Sequence, residues 1–372
     1  MTNKEFSATR LIDYITELLP WAHGHQIKAI AAVVEAIIEK QTANQAELAR
    51  QFGNQEAAVK RISRLIHNQR LSPTALAEAV LLQVLSQLPK TGKVRLAIDW
   101  TIEGSHHLLV VSLVTGSRAV PLYWRAYDER VLKGRMRRYE YAVIKRVIGC
   151  LQKQVGRRRL RVTADRGFAD VDLAQMLEDL HVTYIIRVKN STKVFFEGQW
   201  RNLKTLRFEG NARWRNFGRL YYCESSPHRL YVTMSRARNR AGKWEIWYLI
   251  SNSAGSARQT THEYKRRFGC EEGFRDVKWE LGFSAGRIKD GHAWSRMFGL
   301  FAIGLLIVVT LGMKLLGGGS NQAFQLLRRV ASRRRNRWEL SMVSAMVSLL
   351  ATDKRLFGHL SPLTKLYLEV SL

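Results

Sequence analysis

VRLAIDWT (residues 94–101) is where the chain changes character. Val94, Leu96 and Ile98 alternate with Arg95, Ala97 and Asp99, the two-residue period of a strand with one apolar face. Asp99 therefore projects from near the C-terminal end of that strand. Alternation continues through SHHLLVVSLVTG (105–116) and SRAVPLYWRAY (117–127), with a turn at 115–117, which predicts an antiparallel meander. A helical stretch, YEYAVIKRVIGCLQKQV (139–155), leads to a second strand, RLRVTADRGF (159–168), that ends at Asp165 in the same way. A short helix (170–180) and the strand TYIIRVK (183–189) follow. A carboxylate at a strand end, followed by a glycine such as Gly167, is where mixed α/β sheets place ligands; the plain alternative for any one such Asp is a turn or helix cap.

Further on, YKRRFGCEEGFRDVK (264–278) reads as one helix. At about 100° per residue, Tyr264, Arg267, Glu271 and Lys278 share an arc of about 60°. An aromatic, two cations and one carboxylate on so narrow a face describe a site. Glu272 falls outside that arc and Asp276 lies on the far side of the helix, so Glu271 is the carboxylate of the constellation.

The order Asp99 (IDWT), Asp165 (ADRGF), then Y-x2-R-x3-E-x6-K from Tyr264 to Lys278, is similar to the DDE transposases of bacterial insertion sequences, in the branch called the IS-four-type family. The resemblance runs from about Val94 to about Lys314 and includes the strand from Tyr184 to Lys189; the regions before and after match no family motif. It implies a ribonuclease H-like catalytic core, which the element order β-β-β-α-β-α-β-α also suggests. It further implies a bacterial cytoplasmic protein that binds double-stranded DNA, at both the terminal inverted repeats and the target. Arg267, Lys278 and Tyr264 would then contact the transposon end.

The chemistry suits these residues. Two Mg²⁺ ions, for which Mn²⁺ can substitute, activate water and stabilise a leaving oxygen in phosphodiester cleavage, and magnesium takes hard oxygen ligands. Asp99 would bridge the ions while Asp165 and Glu271 each hold one. Water would cut the element's end, and the freed 3′-OH would attack target DNA. Joining two ends requires two active sites, hence a homodimer on DNA. The rival readings are a nuclease of the same fold without strand transfer, and a domesticated DNA-binding protein whose acids no longer work.

Composition supports a polyanionic partner. The chain has 372 residues, with 60 Lys and Arg against 31 Asp and Glu, a net charge of +29. The excess is spread through the chain: residues 131–161 hold eleven cations and one acid, Glu140, and residues 328–337 hold six arginines and no acid. Cys150, Cys223 and Cys270 stand far apart, without metal or disulfide spacing, which fits a reducing cytoplasm. Cys270 is expected to be a packed thiol, and His106 and His107, on opposite faces of their strand, structural residues. MTNKEFSATR is polar, so no signal peptide is expected.

Residues 1–90 lack strand alternation and predict an all-helical DNA-binding domain. Within it, residues 42–68 have the outline of a helix-turn-helix: Ala46 to Phe52, Gly53 in the turn, then Glu56 to Ile66, presenting Asn54, Gln55, Lys60, Arg61 and Arg64 to a major groove. The catalytic domain spans 91–318, interrupted by a strand-rich β insertion at 190–252 with turns at Gly198, Gly218 and Gly242. That insertion holds Trp200, Trp214, Trp244 and Trp247. A surface Trp on a basic strand can stack on an extruded base, and the resemblance points to Trp247; the alternative is a tryptophan filling a small β core. Residues 297–313 (MFGLFAIGLLIVVTLGM) carry no charge. They predict a helix buried against the sheet, with a membrane span as the alternative and no membrane expected as a partner. The last segment, 319–372, predicts a helical region, through WELSMVSAMVSLL (338–350), for dimer or DNA contact.

Overall fold

Helices come first, as the missing strand alternation requires. The computed structural model describes residues 3–86, 88, 91–103, 105–115, 118–238, 242–316 and 341–360. It opens with α1 (Asn3–Leu18), α2 (Gly24–Lys40), α3 (Gln45–Ala49), α4 (Gln55–His67) and α5 (Pro73–Ser86). Asn44 and Asn54 start α3 and α4, their side-chain oxygens accepting from the backbone N–H of Ala46 and Ala57, each at 3.0 Å. The apolar stripe of α4 (Ala58, Ile62, Leu65, Ile66) is buried, which leaves Lys60, Arg61 and Arg64 exposed. The expected helical hairpin is therefore present, with Gly53 in its turn and Asn54 serving as a cap.

The meander follows as β1 (Val94–Glu103), β2 (His106–Thr115) and β3 (Arg118–Asp128), then α6 (Glu129–Leu132) and α7 (Met136–Val155). Residues 116 and 117 of the expected turn lie outside the described residues. Next come β4 (Leu160–Ala164), α8 (Val171–Asp179) and β5 (Thr183–Val188). β1, β4 and β5 run parallel, while β1, β2 and β3 are antiparallel. The order β3-β2-β1-β4-β5 within this mixed α/β architecture is compatible with the expected ribonuclease H-like core.

The β insertion continues this sheet. It supplies β6 (Lys193–Phe196), β7 (Gln199–Asn202), β8 (Trp214–Tyr222), β9 (His228–Arg238) and β10 (Trp244–Ser251). β10 pairs antiparallel with β5 from Tyr248↔Val188 to Ser251↔Ile185, so ten strands form one sheet, ordered β3-β2-β1-β4-β5-β10-β9-β8-β6-β7.

The stretch expected as one helix at 264–278 is broken. α9 (Ala257–Lys265) ends before α10 (Phe268–Arg275), and a single π turn, Asp276–Glu280, closes the segment. At the break, the N–H groups of Arg267 and Cys270 donate three residues back, to Tyr264 O at 2.9 Å and Arg267 O at 2.8 Å. This tightening changes the helix direction. α10 then lies across β1, β2 and β3, and Gly273 lets it approach closely: a Cβ there would stand 2.3 Å from Ala119 O.

α11 (Gly291–Leu316) is long and apolar enough to cross a membrane, but most of it is buried within the protein. It packs on α2, α4, α5, β3 and α12 (Met342–Thr352). Even Arg296 is buried, donating from Nε to Leu71 O at 2.6 Å and from Nη1 to Ile66 O at 3.0 Å. The N-terminal helices thus share one hydrophobic core with the sheet. Val343, Met346, Val347 and Leu350 of α12 belong to that core; the arginine cluster at 328–337 lies outside the described residues.

Two stability predictions follow from the seat of α10. Gly273→Ala should lower the unfolding free energy by about 1–3 kcal/mol, because helix or strand must move. Gly149→Ala in α7, where an added Cβ meets nothing within 4 Å, should raise it by about 0.5–1 kcal/mol; denaturant titration reads both. Asp276, buried under α10 and 3.5 Å from Arg118, has its carboxyl pushed by burial from 3.8 up to about 7. The unfolded chain releases this proton first, so the group's stability contribution falls as pH rises through that interval. Asp276→Asn should therefore gain melting temperature relative to wild type on going from pH 5 to pH 8; parallel curves would refute the raised carboxyl.

Candidate active site

Strand register brings the two aspartates together. The β1–β4 ladder runs from Val94↔Leu160 to Ile98↔Ala164, so the next residues, Asp99 and Asp165, are neighbours across strands about 4.8 Å apart. Residues alternate between sheet faces. Arg95 and Ala97 lie on the face covered by α9 and α10, where Arg95 Nε donates to Glu263 Oε1 at 2.6 Å and Ala97 packs on Cys270. Asp99 shares that face. Trp100 points to the other, towards α7.

Glu271 reaches the same place from α10. Arg267 connects them: its Nη1 donates to Asp99 Oδ2 at 2.8 Å and its Nη2 to Glu271 Oε1 at 2.6 Å, with the Arg267 side chain only 7% exposed. Burial raises the Asp99 carboxyl above the ordinary range; Arg267 pulls it down, while the nearby charges of Asp165 and Glu271 push it up again. Burial works against the Arg267 charge, yet Tyr264, Asp99 and Glu271 together hold its pKa above the ordinary value. Asp99 thus feels both other acids, and the guanidinium offsets that repulsion.

Asp165 has a second task. Its Oδ1 accepts from Gly167 N and its carbonyl from Phe168 N, capping the turn that leaves β4. The cap and the site coexist, because the other carboxylate oxygen is not used by the turn.

The remaining members of the expected arc separate. Tyr264 is buried in a small apolar cluster with Ile185, Ala237, Trp247, Leu249 and Phe268, its ring 5.4 Å from that of Trp247, and burial raises its hydroxyl pKa. Lys278, carried away by the helix break and the π turn, donates to Ile102 O at 3.2 Å and lies 3.4 Å from Glu103 Oε2. Glu272 and Asp276 turn towards Arg118, as their angles predict. Cys270 is buried, its thiol pushed up to about 12, as suits a packed residue.

Trp247 is fully buried. It supports Tyr264 and Phe268 from beneath and is not available on the surface to an unpaired base. Within the β insertion, Trp244 is exposed, at 55%, three residues earlier on β10 and so on its other face. Its ring stands between the guanidinium groups of Arg213 and Arg238, at 5.0 and 4.9 Å from the centroid. Alternation along β10 could have singled it out, because Trp244 and Ile246 share one face while Glu245 and Trp247 share the other. Trp279, beside Lys278, is the most exposed of the large apolar side chains among the described residues, at 72%.

In the helical region, Lys60 pairs with Glu56 at 2.6 Å, and Arg61 and Arg64 edge a cavity of about 440 Å³ between α2 and α4, next to Lys28 and His25. The cations expected on this helix thus share one exposed surface.

Among the described residues, no group of three or more His, Cys, Asp or Glu side chains is arranged as a ready-made ion cage. Arg267 occupies the space between Asp99 and Glu271 instead. The donors themselves are carboxylate oxygens, and their mutual repulsion calls for positive charge, so in chemistry the set suits a hard divalent cation.

A comparison with curated proteins finds no match to this chain. Residues 137–307 match the family model described as a transposase DDE domain. The matched segment is a little under half of the chain and includes Asp165 and Glu271, while Asp99 precedes it. That similarity supports a DDE transposase, with metal-dependent processing of DNA as its class of activity.

Proposed function

We propose that this protein is a DNA transposase of the IS-four type, which cleaves transposon ends and joins their 3′-OH groups to target DNA. The observation that carries the reading is the Arg267 bridge between Asp99 and Glu271, with Asp165 beside Asp99 in the sheet. The middle of one strand, the end of another and a helix, distant in sequence, contribute acids to one small volume. A purely structural network has no need of a third acid there.

Asp99, Asp165 and Glu271 would hold magnesium, or manganese in its place, as a pair of ions. When bound, the ions supply an activated water and stabilise the leaving oxygen. Arg267 holds Asp99 and Glu271 together, and its guanidinium is suited to grip a phosphate through two parallel N–H bonds. Tyr264 fixes the Arg267 backbone from the apolar cluster beneath it. Lys278 steadies the far end of β1 and offers a point charge to the strand beyond. Stacking on an unpaired base falls to Trp244, whose flanking Arg213 and Arg238 supply phosphate contacts, while Trp247 supports the site from within. Lys60, Arg61 and Arg64 on α4 enter a major groove at the terminal repeat. Two copies act on paired ends, in the bacterial cytoplasm at the nucleoid.

The test uses labelled duplexes made from the DNA on either side of the gene, where this reading expects short inverted repeats. Mg²⁺- or Mn²⁺-dependent nicking should fall to background in Asp99→Ala and Glu271→Ala, with end binding nearly intact. Added target plasmid should receive joined ends; cutting without joining would reduce the activity to that of a nuclease, and cutting by either variant would overturn the site. Trp244→Ala should weaken binding to an end bearing an unpaired base by about 1–3 kcal/mol without changing the melting temperature. Trp247→Ala, in contrast, should lower stability by about 3–5 kcal/mol.

A further inference from the structure

The one acid in the cationic stretch 131–161 is Glu140, and it is buried, at 1% exposure. It lies on α7, across the sheet from α10 and away from the three acids. A carboxylate so deeply enclosed costs free energy unless strong donors meet it, and here two do. Oε1 accepts from Trp100 Nε1 at 2.7 Å, and Oε2 accepts from Arg137 Nη1 at 2.7 Å. Arg137 carries the connection onward: its Nη2 donates to Gly167 O at 2.7 Å, and its Nε lies 3.1 Å from Asp170 Oδ2. Tyr141, one residue after Glu140, donates its hydroxyl to the same Asp170 oxygen at 2.6 Å.

The end points of this chain of bonds matter. Trp100 directly follows Asp99, and Gly167 belongs to the turn that Asp165 caps. Side chains alternate along a strand, so fixing Trp100 on the α7 face fixes the direction in which Asp99 leaves the other face. The paired ladder between β1 and β4 stops at Ile98↔Ala164, one residue before both aspartates. The aspartates thus lie just past the last pair of that ladder, and the link through Glu140 and Arg137 joins the two chain segments there from the opposite face of the sheet.

We propose that Glu140 is a positioning residue: with Arg137 it ties the backbone after Asp99 to the turn after Asp165 and so sets the spacing of the two carboxylates for a divalent cation. This rests on the metal-dependent reading above. Supporting contacts of metal-holding carboxylates typically contribute about 10–100-fold in affinity or activity, whereas a role in packing alone would leave ion affinity unchanged in a folded variant.

The experiment uses the full chain with MnCl₂ as the probe and no DNA, following free Mn²⁺ by electron paramagnetic resonance and the Mn²⁺-induced rise in melting temperature. Wild type should bind, and Asp99→Asn should not. Glu140→Ala should require about tenfold more Mn²⁺ or greater for half-saturation. Glu140→Gln, whose amide oxygen still accepts from Trp100, should recover part of that loss, and Trp100→Phe, which removes the donor, should show a similar partial loss. Binding to the repeat duplex in EDTA should stay within twofold of wild type in all three. If Glu140→Ala does not fold, Glu140→Gln and Trp100→Phe decide the matter. Half-saturation within twofold of wild type in the folded variants would overturn the positioning role and leave the metal site standing. Absence of Asp99-dependent Mn²⁺ binding in wild type would overturn both.

Discussion

A buried guanidinium between two acids is the contact on which the site depends. Three carboxylates meet where β4 ends beside the middle of β1, on a sheet whose surroundings are mostly apolar, and there their repulsion is only weakly screened. Arg267 reaches Asp99 and Glu271 with separate N–H groups at 2.8 and 2.6 Å. It thereby joins the segment after β10 to the strand that begins the core. Removing one member of such a buried set leaves the others uncompensated, a larger penalty than the loss of one bond. The same electrostatics make the place receptive to a divalent cation, since a charge that balances the acids is already required for the chain to close there.

Much of this arrangement was legible before any coordinates. Alternation in residues 94–127 and 159–168 placed Asp165 at the end of β4 and Asp99 on its strand, although β1 runs on to Glu103, past the end expected near Asp99, because β2 continues to pair with it. The four-residue spacing of Arg267 and Glu271 placed them on one helix face. What could not be read was the break between Lys265 and Phe268. Angular arithmetic assumes an unbroken helix, and the bonds that tighten the chain at Arg267 arise from its packing beneath β5 and β10. Lys278 consequently left the predicted arc, while Arg267 and Glu271, both close to the break, kept their common face. Of the two readings of Trp247, sequence could not choose, for a related reason: a strand rich in tryptophan beside arginine does not reveal which face is covered until a helix is laid on it, and α9 covers the face that carries Trp247 and leaves Trp244 in solvent.

The apolar run at 297–313 shows how a sequence signal can be correct in strength and ambiguous in meaning. Its composition fits a helix in lipid as well as a helix in a large core. The structure surrounds α11 with α2, α4, α5, α12 and β3, and Arg296 spends its donors on the carbonyls of Leu71 and Ile66. Helices from the N-terminal region therefore complete the core of the sheet, which explains why α2 and α5 are apolar on more than a narrow stripe. The surface they leave open carries the cations of α4.

Asp99 precedes the segment that matches the transposase DDE domain, residues 137–307, and strand register brings it beside the acids within that segment. β1 is the central strand of the core, flanked by β2 and β4. It is antiparallel to β2 from Leu96↔Leu113 to Glu103↔His106 and parallel to β4 up to Ile98↔Ala164. A shift of one residue in either register would carry Asp99 to the α7 face and bring Trp100 against Arg267. Both ladders, the Trp100 bond to Glu140 and the Arg267 bond to Asp99 agree on a single register. That agreement, reached from both faces of the sheet, ties the strand outside the matched segment to the acids within it.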